Sequence, residues 1–351
     1  MSSPQLYFHM VNSKGKAIYS NLSGHCLKCF ENCSSSRQSS LKCQVTSQPR
    51  KFGKTESSHG KAFLCVNDSN IVRSSRLFKE KLGIYGAVLE ELDTMRSEIT
   101  AEINVTTKRL LHNLSSLNGK NIQEIYDLVS QEALTGNINE QLKIVKTSIN
   151  SNLTDAATAI LKIAKYNAAI KTEFAVFKKL YETSPVLQFK EHLIRKVTLN
   201  ILHIFFQDFT DKHVYVEVEP FDGKVELDYE SIHVVLYHVI DNTAKYIQPH
   251  SILLVSFSHK NKVTSVIFDM MSLQISDEDI KNIFLEGYSG TWARKQHLAG
   301  DGIGMSIVQS ILKLNRAEIR ITRNKTPAKN VNIGNLPYEN NVFEITFGSN
   351  P

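Results

Sequence analysis

Apolar residues recur at threes and fours from Leu77 to about Gln131, through Leu92, Met95, Ile99, Ile103, Leu110, Leu114, Leu117 and Leu128. That spacing gathers them on one stripe, so a long amphipathic helix is predicted. Ala133 to Gly136 break the period. A second stripe follows from about Asn139 to Glu182, through Leu142, Val145, Ile149, Leu153, Ala157, Ile160, Ile163, Ala168 and Phe174. A hairpin of two such helices leaves half its stripe uncovered, and a second copy completing a four-helix bundle would cover it. A monomeric hairpin packed on the rest of the chain would serve the same end.

On either side the period changes. Before the helices, QLYFHMV, KAIYSNL and KAFLCV read as short strands, and 34-SSSRQSSLKCQVTSQPRKFGKTESSHG-60 is polar enough to be predicted as a loop. After them, helix and strand alternate. Residues 188 to 209 and 229 to 247 read as helices, whereas VYVEVEP, SILLVSFS, TSVIFDM, AEIRITR and NVFEITF read as strands. The direct step from strand to strand across 252 to 269 is a hairpin, which makes the sheet mixed with helices on one face. The expected fold class is α+β multidomain: a small Cys-containing module over 1–76, a long helical hairpin over 77–183, and a C-terminal α/β sandwich over 184–351.

Length fits that division, since 351 residues suffice for two or three domains with their own cores. No apolar run approaches the roughly 20 residues that span a bilayer, and the first residues lack the apolar core of a signal peptide. A soluble cytoplasmic protein without a membrane segment is expected.

Charge and cysteine both single out the head. Residues 1 to 81 hold 13 Lys/Arg against 4 Asp/Glu, a balance of +9, so the remainder sums to −3 against the whole-chain +6. A basic head suits nucleic acid, an acidic protein or a membrane surface, and equally a plain solvated surface. All five cysteines lie there: Cys26, Cys29, Cys33, Cys43 and Cys65. The CxxC of HCLKCFENC, with further thiols nearby and His25 adjoining, makes Cys26, Cys29, Cys33 and Cys43 candidate Zn2+ ligands in a reducing compartment. An iron–sulfur site, buried thiols and redox sensing are the other readings.

Candidate chemistry in the sandwich starts from two stretches. In 238-HVIDNTAKY-246 the apolar positions leave His238, Asn242 and Lys245 on a shared polar flank. An amide oxygen is a hard ligand suited to Mg2+, and an ammonium one turn on can meet phosphate. In 299-AGDGIGMSIV-308, Gly300, Gly302 and Gly304 precede an apolar helix, where backbone N–H groups and the helix dipole favour an anion. Alone, the first also fits a solvated helix face and the second a plain turn.

Together with the intervening 283-IFLEGYSG-290, these stretches occur in an order that resembles the ATP-binding domain of sensor histidine kinases, in the superfamily that includes gyrase and MutL. The N box looks like 238-HVIDNTAKY-246 with Thr243 for the usual Ala, the F box is similar to 283-IFLEGYSG-290, and the G2 box to 300-GDGIGMSIV-308. The resemblance also takes in Asp228 at the end of the preceding strand. It implies that Asn242 holds Mg2+, that Lys245 and the neighbouring Tyr246 belong to the nucleotide site, and that Gly300, Gly302 and Gly304 line the triphosphate. His238 opens the motif and is a candidate catalytic group. The lid would be roughly Leu285 to Leu298, with Arg294 and Lys295 as candidate cations. Where the family carries Asp-x-Gly-x-Gly-Ile, this chain has 267-IFDMMSLQISDEDI-280 without a glycine. Asp269 is the obvious partner for an adenine amino group, yet the register counted back from Ile275 falls on Met270, and the slip decides which face Asp269 takes.

The first long helix contains 110-LLHNLSSLNGKNIQEI-125, which resembles the family's phosphoacceptor box. His112 lies off the apolar stripe, and an imidazole nitrogen is a suitable nucleophile for a γ-phosphate. Asn113 stands where many relatives carry an acidic residue, and an amide orients imidazole but is a poor base. Ser116 stands for a polar residue one turn along. The resemblance, which covers about residues 77 to 348 and not the head, implies a homodimeric two-component signalling transferase that binds Mg-ATP, phosphorylates His112 and passes the phosphate to a separate response-regulator receiver protein; the head is read as sensing a ligand, metal or redox state. A nucleotide-binding pseudokinase is the principal rival, and an ATP-driven nucleic-acid or defence module the second.

Overall fold

The computed structural model describes residues 6–22, 26, 40–43, 47–181, 185–295 and 300–348. The chain divides into two compact units, Met1–Arg109 and Leu110–Pro351. No helix among the described residues is long and apolar enough to cross a membrane.

In the first unit, β1 (Leu6–Asn12), β2 (Ala17–Ser20), β3 (Ser40–Lys42), β4 (Pro49–Ser57) and β5 (Gly60–Val66) form one antiparallel sheet in the order β2-β1-β5-β4-β3. Alternation turns Phe8, Met10, Ala62 and Leu64 to one face, where Phe78, Tyr85 and Leu89 pack against them. Those three belong to α2 (Ser75–Leu128), which follows the short α1 (Ser69–Arg73) and spans 54 residues. The expectation of a loop over 34 to 60 is corrected, because Pro49–Ser57 is a strand. Its covered face hides its nature from a hydrophobicity pattern. Gly53 lies where an added Cβ would come within 2.9 Å of the Phe78 ring, and the Lys51 ammonium donates to Ser75 Oγ at 2.8 Å while lying over that ring.

The second unit begins within α2. A single 3-10 turn (Gln131–Thr135) leads to α3 (Ile138–Ser151) and α4 (Leu153–Val176). The second apolar stripe is therefore two helices, not one. Asn152 divides them, leaving helical geometry (φ −149, ψ 87) and accepting a hydrogen bond from Asp155 N as the cap of α4. The end of α4 widens into π-helical Phe177–Tyr181, and Lys179 turns inward to pair with buried Asp228 at 3.1 Å.

The sandwich follows. β6 (Phe189–Leu193) pairs antiparallel with β8 (Lys224–Asp228), which corrects the helix expected from residue 188, since five residues are too few for period alone to decide. Helices α5 (Ile194–Leu202) and α6 (Phe206–Asp211) precede β7 (Tyr215–Val218). After β8 come α7 (Tyr229–Tyr246), β9 (Ile252–Lys260), β10 (Val263–Leu273), α8 (Asp277–Asn282), α9 (Thr291–Lys295) and α10 (Gly304–Leu314). Strands β11 (Ala317–Thr322), β12 (Val331–Ile333) and β13 (Leu336–Phe347) close the chain. The sheet runs β11-β13-β10-β9-β7 with β12 on β13, and it is mixed because β7 is parallel to β9. Val255, Val266, Phe268, Phe343 and Ile345 form the sheet side of a core closed by α5, α7 and α10 through Val197, Ile240 and Val308. The fold is the expected α/β sandwich, and the order of its elements sets the ends of α7, β10 and α10 around one site.

Candidate functional site

Helix α7 starts from a tightly held residue. Asp228 closes β8 and caps the helix, its carboxylate accepting from Ser231 N at 2.8 Å, from Gln188 N at 2.7 Å and from Lys179. Burial alone would raise this carboxyl's pKa, but those hydrogen bonds outweigh it and hold the group below its ordinary value. Its own N–H donates to Asn315 at the end of α10, so both helices of the site share one anchor.

Helix α7 carries His238, Asn242 and Lys245 at i, i+4 and i+7. The His238 ring lies against Gly304, where an added Cβ would stand 3.3 Å from Nδ1. Burial depresses its pKa to about 4, with smaller opposed effects from Asp241 and Lys245, and its shielded Nε2 has no hydrogen-bond partner among the described residues. Asn242, one turn on, is half-buried, and its amide engages no side-chain or backbone partner among the described residues. Lys245 pairs with Asp241 at 2.5 Å. Burial would lower the ammonium's pKa, but Asp241, and more weakly Tyr246 and Asp301, raise it. Burial likewise pushes the Tyr246 phenol up. The far end of α7 is closed by Lys212, which donates to Ala244 O at 2.6 Å and Lys245 O at 2.7 Å.

The glycine loop faces this flank. Gly302 has φ +69 and presses on the neighbouring segment so closely that a Cβ would lie 2.5 Å from Gly287 C and 2.6 Å from Tyr288 N. Gly287 N donates to Gly302 O at 3.1 Å. Only glycine fits that backbone and that contact. Gly304 then begins α10, whose preceding residue Ile303 supplies no side-chain cap. Among the described residues no side chain caps the first N–H groups of α10, which lie beside a neutral imidazole with an orphaned nitrogen and an uncommitted amide. These donors and ligands fit a Mg2+-bound phosphate chain. Gly300 has open space around it and is not required sterically.

The lid candidates divide. Arg294 lies over the Tyr288 ring at 5.5 Å and Lys295 over the Trp292 ring at 4.2 Å, while the expected remainder, 296 to 298, is outside the described residues.

The other end of the site differs from the expectation. On β10, Val266, Phe268 and Met270 face the helices, so Asp269 faces the opposite side. There it accepts from Asn340 Nδ2 at 2.6 Å and from Lys325 Nζ at 2.8 Å. The structure does not bring Asp269 to the site, and Met270 occupies the helix-facing position. Met270 pairs across the strand with Asn341, which is fully buried and donates to Ser272 Oγ at 3.0 Å and Leu273 O at 3.2 Å. Ser272 pairs with Glu339, whose Oε1 accepts from Ile275 N at 2.9 Å. Strand pairing runs through the stretch where glycines were expected.

His112 is exposed on α2, and Asn113 beside it donates to Glu173 Oε1 on α4 at 3.3 Å. Asn113 is therefore tied to the second helix. In the head, burial and then the charge of Cys26, Cys43 and Cys65 when ionised raise the Tyr7 phenol's pKa. Among the described residues no group of three or more His, Cys, Asp or Glu is placed to hold a metal, and Cys29 and Cys33 lie outside them.

Sequence reasoning gave no role to Lys179, Lys212 and Asp279, and took in Tyr288 only as part of 283-IFLEGYSG-290. Only Asp279 left a signal, the Ser276-x-x-Asp279 spacing of a capping box, which α8 forms.

No family model and no curated protein matches the chain. Among solved structures it is similar to the mycobacterial sensor histidine kinase MprB, at 15% identity over 45% of this chain and 97% of that one, with a TM-score of 0.38. The nucleotide-free catalytic domain of histidine kinase ThkA aligns at 17% identity over 47% of this chain and 99% of its own, TM-score 0.37. Histidine kinase AdeS of Acinetobacter baumannii aligns at 16% identity over 69% of this chain and 98% of its own, TM-score 0.37.

Proposed function

We propose that this chain is a histidine-kinase-like signalling protein that binds Mg-ATP between α7 and α10 and transfers the γ-phosphate to His112. The observation that carries the reading is the approach of Gly304 to His238, which sets an uncapped helix N-terminus beside the polar flank of α7. Asn242 would hold Mg2+ through its amide oxygen, and the metal would offset phosphate charge when bound. The N–H groups of Gly304 and Met305 would receive phosphate oxygens, and Lys245 would add its ammonium. His238 is neutral at physiological pH and can accept or donate one proton or hydrogen bond at Nε2. In the transfer, the lone pair of His112 Nε2 would form the new P–N bond as the bond from phosphorus to the bridging oxygen breaks and ADP leaves, and the ring's Nδ1 proton would pass to water. The phosphate would pass next to an aspartate on a separate receiver protein.

Dimerisation through the helices belongs to the same reading. Leu111 is 58% exposed, Ile138 65% and Ile160 61%, large side chains on α2, α3 and α4 that a second copy would cover. A Zn2+-bearing head stays a proposal of the cysteine spacing, tested by metal analysis before and after Cys26→Ser.

One observation favours a second reading, a nucleotide-binding pseudokinase. Residue 113 is an amide and not a carboxylate, so the residue that follows His112 cannot take its proton, and Asn113 Nδ2 is held by Glu173 Oε1 at 3.3 Å. Incubation with γ-labelled ATP and Mg2+ decides between them. Acid-labile label that is lost in both His112→Ala and Asn242→Ala supports transfer. Nucleotide binding without label, abolished by Asn242→Ala, supports the pseudokinase. No nucleotide binding by the unaltered chain sinks both.

A further inference from the structure

The loop that would receive phosphate does not support itself. Three links hold it to residues 287–289: Gly287 N donates to Gly302 O at 3.1 Å, Ser289 Oγ donates to Gly300 O at 3.2 Å, and Gly302 packs directly on the Gly287–Tyr288 peptide. That segment is itself a surface turn, with Gly287 in the left-handed region at φ +79. Backbone bonds from Leu285 N to Asn282 O at 2.8 Å and from Tyr288 N to Leu285 O at 3.2 Å shape the turn, and one buried side chain ties it to α8.

Asp279, 3% exposed on α8, gathers four donors. Its Oδ1 accepts from Tyr288 OH at 2.7 Å, Thr291 N at 2.9 Å and Thr291 Oγ1 at 3.1 Å. Its Oδ2 accepts from Ser276 N at 3.0 Å, while its own N–H donates to Ser276 Oγ in the reciprocal capping box. Gly290 lies against the same carboxylate, an added Cβ there standing 3.8 Å from it. The carboxylate is thus held by the start of α8 and in turn holds both sides of Ser289–Gly290. Burial alone would raise its pKa, but the hydrogen bonds outweigh this and lower it to about 2, so the group stays charged wherever the protein is folded near neutral pH.

We propose that Asp279 is the positioning residue of the anion-receiving loop: through Tyr288 and Thr291 it fixes the segment on which Gly300–Gly302 rests, and so the direction of the N–H groups that open α10. It touches no ligand and acts through Tyr288. The ligand side of the inference rests on the phosphate-site reading above. The positioning itself does not, since it concerns the order of the loop in the free chain.

The test separates the two on the full chain, comparing Asp279→Asn and the milder Tyr288→Phe with the unaltered protein. Without nucleotide, amide hydrogen exchange at Gly287, which donates to Gly302 O, and at Ile307, which donates to Ile303 O, is expected to quicken about tenfold in Asp279→Asn and severalfold in Tyr288→Phe, with strands β9, β10 and β13 unchanged. With Mg-ATP as the probe, the dissociation constant should rise about tenfold in Asp279→Asn. Asp279→Glu, which keeps the charge, should recover part of both. Loop exchange within twofold of the unaltered chain in both variants overturns the proposal, whatever the nucleotide does. Quickened exchange in a chain that never bound Mg-ATP upholds the positioning and removes the phosphate reading instead.

Discussion

The two ends of the α7–α10 site obey different rules. At the glycine end, the proposed function would rest chiefly on backbone, Gly302 at φ +69 and the uncapped start of α10, with an amide and an imidazole one helical turn apart beside them. At the far end it would have to rest on side chains projecting from β10, and there the single carboxylate points away, engaged by Asn340 and Lys325. A backbone site is announced by residue types that nothing else explains. A strand site depends on parity, and one residue of slip exchanges Asp269 for Met270. The contrast predicts a ligand gripped by its phosphates and read weakly at its base.

Gly302→Val strikes the glycine end hardest. A β-branched residue cannot adopt φ +69 without strain, and its Cβ would fall 2.5 Å from the Gly287 backbone. Loss of measurable Mg-ATP binding by titration calorimetry is expected, with the circular dichroism spectrum retained. Normal binding by the Gly302→Val chain would show that the loop is no part of the site. Asn242→Ala comes next. It removes the uncommitted amide of the flank and should weaken Mg-ATP binding about a hundredfold while leaving metal-free nucleotide binding less affected. Equal losses with and without Mg2+ would assign Asn242 a packing role.

A smaller effect follows from the histidines of α7. Burial lowers both His233 and His238 to about 4, from an unfolded value near 6.5. Their folded pKa values are depressed, so the unfolded chain takes up protons first. The stability they sustain is complete above about pH 6.5 and is lost as pH falls toward 4. Urea unfolding at pH 7.5 and pH 5 should differ by on the order of 2 kcal/mol after allowance for the partial exposure of His238. His238→Gln should reduce that difference. An unchanged pH dependence would place the imidazole in solvent and remove it from the site.

How far the sequence could be read divides along the same line. The periodic stripe of α2, the α7 flank and the glycine loop stand where the residues placed them, because each depends on local spacing. Pro49–Ser57 escaped because its covered face is Lys51, Gly53 and Thr55, whose fit to Phe78 is visible only in three dimensions. The split of the second stripe at Asn152 was masked by apolar residues that continue the period across the cap. Lys179 escaped for the opposite reason, since a lysine in FKKLY reads as solvent-facing until a π-helical turn carries it to Asp228. Stretch 270 to 274 kept its secret because missing glycines suggest a damaged turn, whereas the chain continues β10 to Leu273 and pairs Ser272 with Glu339.

The weakest expected effect is the sharpest test of the contrast. If Asp269 read the base, Asp269→Asn would cost about 2 kcal/mol of nucleotide affinity, the loss of one charge-assisted hydrogen bond, and a preference for ATP over GTP would fall with it. In the structure its oxygens belong to Asn340 and Lys325 on the opposite face of the sheet. The substitution should therefore leave Mg-ATP affinity within about twofold, and the unaltered chain should hold ATP and GTP within about tenfold of each other. What Asp269→Asn should change is stability, by about 0.5 kcal/mol or less, because Lys325 is half-exposed and its ion pair is screened. A large and selective loss of ATP binding in that variant would mean that β10 shifts by one residue when nucleotide arrives, and the two ends of the site would then follow one rule.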